Sequence, residues 1–143
     1  MRWPDFYWAV YGIIRNKNWD ILSLKRWNTW WMDWWYWLPA WHIEWKETFF
    51  QALKREIKEE LDIDIIEENT KLVHISHRHA LPYRKYIDAY FEINNYTWIP
   101  KNNEPDKHSE MKYIEYETQE KFMPYLKEIF EKIKLWISFS ENI

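Results

Sequence analysis

The chain has 143 residues, 47% of them hydrophobic and 30% charged, with a formal net charge of −3 and no cysteine. This length suits one domain over residues 1–143 with a proper core, and the charge balance argues against non-specific attraction to duplex nucleic acid. Missing cysteines exclude disulfides and thiolate zinc sites, no run of 18 apolar residues suggests a membrane span, and no basic-then-apolar leader opens the chain, so a cytoplasmic location is expected.

Phe6 to Arg15 is aromatic and β-branched enough for a strand, with Ile21 to Lys25 as its hairpin partner. Residues 26–35 read as a loop, Tyr36 to Pro39 as a short extended piece and 40–46 as a second loop. A helix is predicted from Glu47 to Leu61, with Phe50, Leu53, Ile57 and Leu61 as its buried stripe. Leu72 to Ala80 and Lys85 to Ile93 read as strands, the second alternating Tyr86, Asp88 and Tyr90 against Ile87, Ala89 and Phe91. Residues 95–108, with Pro100 and Pro105, form a long loop of the kind that often carries function. Met111 to Tyr116 is a further strand. Phe122 to about Ile137 is a closing helix with Phe122, Tyr125, Ile129, Ile133 and Trp136 on one face. The alternation suggests a mixed sheet between helices, an α/β (α+β) sandwich.

Glu56, Glu59 and Glu60 stand at i, i+3 and i+4, so they share a helix face about 5–6 Å apart. Three such carboxylates repel one another unless a positive charge lies among them. One answer is a solvated face screened by Lys54, Arg55 and Lys58 at modest energetic worth. The other is a hard divalent cation shared with substrate phosphates, as Mg²⁺ prefers. The three histidines invite a different metal reading. His77 and His79 would share a strand face while His74 points the other way, which favours hydrogen-bonded strand histidines. Tyr7, Tyr86, Tyr90 and Phe91 offer faces for a nucleobase, although core packing accounts for most of them.

The segment Trp41 to Glu47 followed by Arg55 to Ile63 resembles the signature of the Nudix hydrolases, G-x5-E-x7-R-E-U-x-E-E-x-G-U. Glu47, Arg55, Glu56, Ile57, Glu59, Glu60 and Ile63 fall on required positions, while Trp41 and Asp62 stand where its glycines belong. Leu38-Pro-Ala-Trp41 and Asn28-Thr-Trp-Trp-Met-Asp33 resemble the family's lead-in, and the likeness spans roughly residues 6–125. It implies a Nudix-like α/β/α sandwich with a mixed sheet, and a Mg²⁺-dependent (or Mn²⁺-dependent) hydrolase of nucleoside diphosphates linked to another group. Glu59 and Glu60 are the implied principal ligands, with Glu56 a ligand or water-activating base. The Trp41 carbonyl and Glu110 are further implied ligands, Glu104 competing with Glu110. Arg55 and Glu47 are implied supports that hold loop and helix in register, and Arg26 and Asn28 candidate substrate contacts. A nucleoside triphosphate or modified nucleotide is the expected substrate, and a homodimer is compatible with the class. ADP-ribose or nucleotide-sugar hydrolysis, or non-catalytic nucleotide sensing, are the alternatives.

The chain contains one glycine, Gly12, and 13 tryptophans, where average usage gives about 10 glycines. The excess falls where glycine chemistry is wanted: Trp19 after Asn18, Trp30, Trp34, Trp41 and Trp45 in loops, and Trp98 after Thr97. Decoding UGA as tryptophan where the cell reads glycine yields this pattern, and an Ile/Lys/Asn/Glu-rich remainder suits an AT-rich gene. Many of the tryptophans are therefore expected to represent glycine, with Trp31, Trp35 and Trp136 fitting as ordinary aromatics. The competing reading is a Trp-rich surface that recognises protein or carbohydrate.

Overall fold

The computed structural model describes residues 5–29, 32–82, 84–115 and 122–142. Strand β1 (Asp5–Ile13) lies at one end of the four-stranded sheet, and its alternation sets the layers. Ala9, Tyr11 and Ile13 face one core; Val10, with Ile14 just beyond the strand, faces the other. The strand pairs in parallel with β6 (Arg84–Ile93), which pairs antiparallel with β5 (Thr70–Leu81), and β5 carries β9 (Phe139–Asn142) in parallel at its edge. A second, antiparallel sheet has β2 (Ile21–Arg26) between β3 (Tyr36–Trp37) and β8 (His108–Ile114). A short ladder joins β4 (Asp64–Ile65) to β7 (Tyr96–Thr97).

Helix α1 (Phe49–Leu61) buries Ala52, Leu53, Ile57 and Leu61 against Val10, Phe91 and Ile93. Helix α2 (Pro124–Lys134) buries Leu126, Ile129 and Phe130 against Tyr11, Tyr86 and Tyr90. The two helices thus cover opposite faces of the mixed sheet, the sandwich expected from the sequence. Gly12 marks the closest approach: a Cβ there would lie 2.9 Å from Ile93 Cδ1 and 3.1 Å from Ile57 Cδ1, so α1 packs on bare backbone.

Several boundaries differ from expectation for local reasons. α1 begins at Phe49 because Thr48 and Gln51 form a reciprocal capping box. It ends at Asp62, whose φ of 54° is the left-handed cap that the box assigns to glycine. β2 is not a full hairpin partner of β1; among the described residues it meets the chain just past β1 through the Arg15–Ile21 bridge and the Leu22 N–H to Ile14 carbonyl bond. The free edge of β1 is taken instead by residues 39–43, with Val10 N–H donating to Trp41, Gly12 N–H to Pro39 and Ile43 N–H to Trp8. α2 starts at Pro124, whose missing N–H suits the first helical turn, while Phe122 bridges to Tyr36. Trp136 lies beyond the end of α2 and is 88% exposed, so it does not belong to the apolar face. β8 starts three residues earlier than expected, and its expected end at Tyr116, like Trp30 and Trp31, lies outside the described residues. The short pairings β4–β7 and β9 had no periodicity long enough to read.

Candidate active site

The box carboxylates differ sharply in environment. Glu59 is half exposed, Glu56 is largely covered, and Glu60 is buried. Glu60 Oε2 accepts the Ala40 N–H at 3.0 Å, which ties the loop before α1 to the helix. Burial pushes the Glu60 carboxyl up to about 8, with Glu56 and Glu104 adding to the rise and the Ala40 N–H opposing it. Burial also raises Glu56, against the pull of Arg55. Two acidic groups are therefore held together at a cost that a cation would relieve.

Arg55 is the hub of this arrangement. Its Nε and Nη2 grip Glu47 at 2.8 and 2.9 Å in a two-pronged fork, Nη2 also donates to the His42 carbonyl at 3.3 Å, and Nη1 holds Glu56 at 2.8 Å. Nη1 also lies 3.5 Å from Glu59. The hydrogen bonds from Arg55 hold the Glu47 carboxyl below its ordinary range. One guanidinium so fixes the loop, the helix and the orientation of Glu56.

A fourth carboxylate enters from the long loop. Asn103 N–H donates to the Glu60 carbonyl at 2.9 Å, Asn103 Nδ2 to the Glu59 carbonyl at 3.1 Å, and Lys101 N–H to the Leu61 carbonyl at 3.0 Å. These bonds satisfy carbonyls left over at the end of α1 and dock the loop there. Glu104 is thereby brought close enough to raise both Glu56 and Glu60, while Lys107 holds its carboxylate at 3.2 Å. Glu110 sits apart, on β8, where its carboxylate accepts the Tyr36 hydroxyl at 2.8 Å and faces Lys112 at 3.8 Å. The Trp41 carbonyl accepts the Val10 N–H at 2.9 Å, so this oxygen serves the pairing with β1.

Arg26, at the end of β2, stacks on Trp37 and Trp41 at 5.3 and 5.6 Å and donates to Thr29 Oγ1 at 3.0 Å. Burial lowers its pKa, opposed chiefly by Asp33 and Glu60, which places it in the field of the box. Asn28 is exposed with a φ of 55° and stands at the turn after β2. His108 lies across from Arg26; burial and the charges of Arg26 and Lys107 push it down to about 4, so it is neutral. His74 is buried and bonded to the Ile137 carbonyl at 2.7 Å and Ser140 at 2.8 Å, a structural histidine. Tyr86, Tyr90 and Phe91 lie in the cores, whereas Tyr7 stacks on Tyr86 at their margin.

Among the described residues, no three His, Cys, Asp or Glu side chains already converge as metal ligands. Arg55, reaching both Glu56 and Glu59, supplies the opposite charge there. The donor set nevertheless fits a hard divalent ion, since it consists of carboxylate oxygens, one of them buried and raised by its acidic neighbours.

The NUDIX domain family model matches residues 5–133. The chain belongs to the Nudix family. It is a Nudix-type hydrolase, and solved structures share its fold. A MutT protein from Methanosarcina mazei Go1 superposes with a TM-score of 0.79 at 21% identity, covering 94% of this chain and 96% of that one. The MutT NUDIX hydrolase from Burkholderia pseudomallei gives a TM-score of 0.76 at 20% identity, over 87% and 95%. The E. coli ORF135 protein gives 0.77 at 18% identity, over 92% and 91%. No curated protein is significantly similar in sequence. Among the described residues, no helix is long and apolar enough to cross a membrane.

The loop at 95–108, expected to carry function, docks onto α1 in a way that the sequence signals only weakly. Asn102-Asn103 just before Glu104, in a segment bounded by Pro100 and Pro105, was the available signal. Asparagine side chains commonly satisfy backbone groups in such places.

Proposed function

We propose that this Nudix domain is a Mg²⁺-dependent pyrophosphohydrolase acting on a nucleoside triphosphate or modified nucleotide in the cytoplasm, with Mn²⁺ as a substitute ion. The observation that carries the reading is the buried Glu60 beside Glu56 and Glu104, an acidic cluster that Arg55 and Lys107 offset only from its edges and that a cation would stabilise further. Glu56, Glu59, Glu60 and Glu104 would hold the ion, which supplies charge neutralisation on diphosphate oxygens and orients water. Water adds to one phosphorus, the bond to the bridging oxygen breaks, and the water's proton passes to a box carboxylate. Glu56, raised by burial and aimed by Arg55, suits that transfer. Arg26, stacked on Trp41 and within the field of Glu60, would meet a phosphate or base, and Asn28 lies at the same loop.

A panel of nucleoside triphosphates, oxidised nucleotides, ADP-ribose and nucleotide sugars, each with Mg²⁺ or with EDTA, tests the reading. Mg²⁺-dependent release of a nucleoside monophosphate and pyrophosphate from the triphosphates is expected. Binding without turnover across the whole panel would instead assign a sensing domain, and turnover of the sugars alone would move the substrate class.

Arg55→Lys keeps the charge but cannot reproduce the fork on Glu47 together with the bond to Glu56. Turnover is expected to fall about 10–100-fold with the far-ultraviolet circular dichroism unchanged. Undiminished turnover would remove Arg55 from the orienting role.

A further inference from the structure

Nine non-glycine residues among those described hold positive φ, and four of them are tryptophans: Trp19 at 68°, Trp34 at 71°, Trp98 at 72° and Trp136 at 62°. Asn28 and Asp62, also in that group, are residue types that tolerate the left-handed region. A bulky aromatic is an outlier there.

Hydrogen bonding at three of these positions defines motifs with a known preference. Trp136 N–H donates to the Ile133 carbonyl at 3.0 Å and Ile137 N–H to the Lys132 carbonyl at 2.9 Å. That pair of bonds is the Schellman ending of a helix, and Trp136 occupies its left-handed position, ordinarily glycine. Trp19 N–H closes a turn onto the Asn16 carbonyl at 3.0 Å, and Asn16 N–H meets the Asp20 carbonyl at 3.1 Å. Trp19 is then the left-handed residue that completes a three-residue hairpin loop. Trp34 N–H donates to Arg26 at 2.7 Å while Arg26 N–H donates to Trp35 at 3.1 Å. Two residues oppose one, a bulge whose first member is ordinarily a left-handed glycine.

Among the described residues, little packing compensates at these four positions. Trp19, Trp34, Trp98 and Trp136 are 67, 58, 73 and 88% exposed. Arg15, Lys25 and Lys71 lie over Trp19, Trp34 and Trp136 at 5.4, 5.9 and 5.9 Å, but surface cation–π contacts are too weak to offset the backbone strain. Trp35, Trp37 and Trp41 behave differently: they hold ordinary φ and pack on the core beneath α2. Trp45 also holds ordinary φ, the left-handed residue of its turn being Lys46.

We propose that positions 19, 34, 98 and 136 are glycine in the protein as its own cell makes it, each tryptophan marking a UGA codon read there as glycine. The backbone thereby singles out three sites within the compositional excess, Trp19, Trp34 and Trp98, and adds Trp136, which its apolar neighbours disguise. It also reshapes a large groove among the described residues. That groove, of about 820 Å³, runs between the hairpin turn and the end of α2 with Trp19 and Trp136 among its walls, so the glycine form lacks two of its aromatic sides.

Peptide mass spectrometry of the protein purified from its source organism, beside the codons of the gene, decides the matter without reference to activity. Glycine masses at the four positions and UGA codons are expected; tryptophan masses or UGG codons there overturn the proposal. The chain as written supplies a second readout. Trp19→Gly, Trp34→Gly, Trp98→Gly and Trp136→Gly are each expected to raise the folded-to-unfolded ratio about 5–30-fold. Trp45→Gly, at ordinary φ, is the control and gains nothing of this kind. Equal responses at all five positions would count against the assignment.

Discussion

Glu60→Gln is expected to separate activity from stability, destroying the first while raising the second in protein stripped of metal. The activity side follows from the proposed ligand set. Losing one anionic oxygen donor removes several kcal/mol of charge stabilisation, about 10²–10⁴ in rate. The stability side follows from burial. The folded carboxyl is pushed up to about 8 from an ordinary 4.5. Between those values the folded state binds a proton that the unfolded state has released. Its contribution is therefore complete below pH 4.5 and is lost as the pH climbs to about 8. The loss runs at about 1.4 kcal/mol per pH unit within that window. Glutamine carries no charge to bury, and its carbonyl can still accept the Ala40 N–H. Urea melts in EDTA should coincide for the two proteins near pH 5 and diverge by pH 8, with the variant the more stable. Mg²⁺ should narrow the gap by stabilising only the original. Parallel melts from pH 5 to 8 would show that the Glu60 carboxylate is not penalised by burial, and full turnover in the variant would remove it from the site.

What was legible in the sequence divides along a physical line. The box carboxylates and the Glu47–Arg55 pair depend on spacing within one helix and the loop feeding it, which the helical period fixes. The two-faced packing of β1 and β6 was readable for the same reason, since alternation reports which side chains share a face. That Glu104 and not Glu110 lies beside the box carboxylates was not readable, because it rests on Asn103 reaching carbonyls of α1 some 40 residues earlier. A hairpin from β1 to β2 is suggested because Ile21 follows a good turn, but the docking of residues 39–43 occupies that edge. Trp136 looked like the last residue of an apolar stripe at helical spacing. The stripe stops at Ile133, however, and the chain then turns through a conformation that no periodicity announces. Contacts between distant segments and backbone conformation at caps are the two kinds of information that side-chain pattern alone carries poorly.

On the opposite face from the box, Arg78→Met is expected to destabilise the fold by about 3–5 kcal/mol, the cost of leaving a buried charge without its partner. Arg78 Nε meets Asp88 Oδ2 at 2.8 Å, and the side chains are 7% and 0% exposed. Burial pushes the Asp88 carboxyl up and the guanidinium opposes the rise. The guanidinium is also stacked between Tyr86 and Tyr125, at 4.6 and 4.2 Å, so it joins the sheet to α2 as well as neutralising Asp88. These two roles predict different double mutants. If the charge pair dominates, Arg78→Met combined with Asp88→Leu removes both ions while keeping bulk between the rings, and stability returns to near that of the parent. If the stacking dominates, the double variant stays as unstable as Arg78→Met. The buried environment of Asp88 favours the first outcome, because an unpaired carboxylate there has no water to turn to, whereas methionine can fill much of the space between two tyrosines. Chemical denaturation of the parent, both single variants and the double variant closes the cycle. A coupling free energy near zero between positions 78 and 88 would sink the charge-pair account.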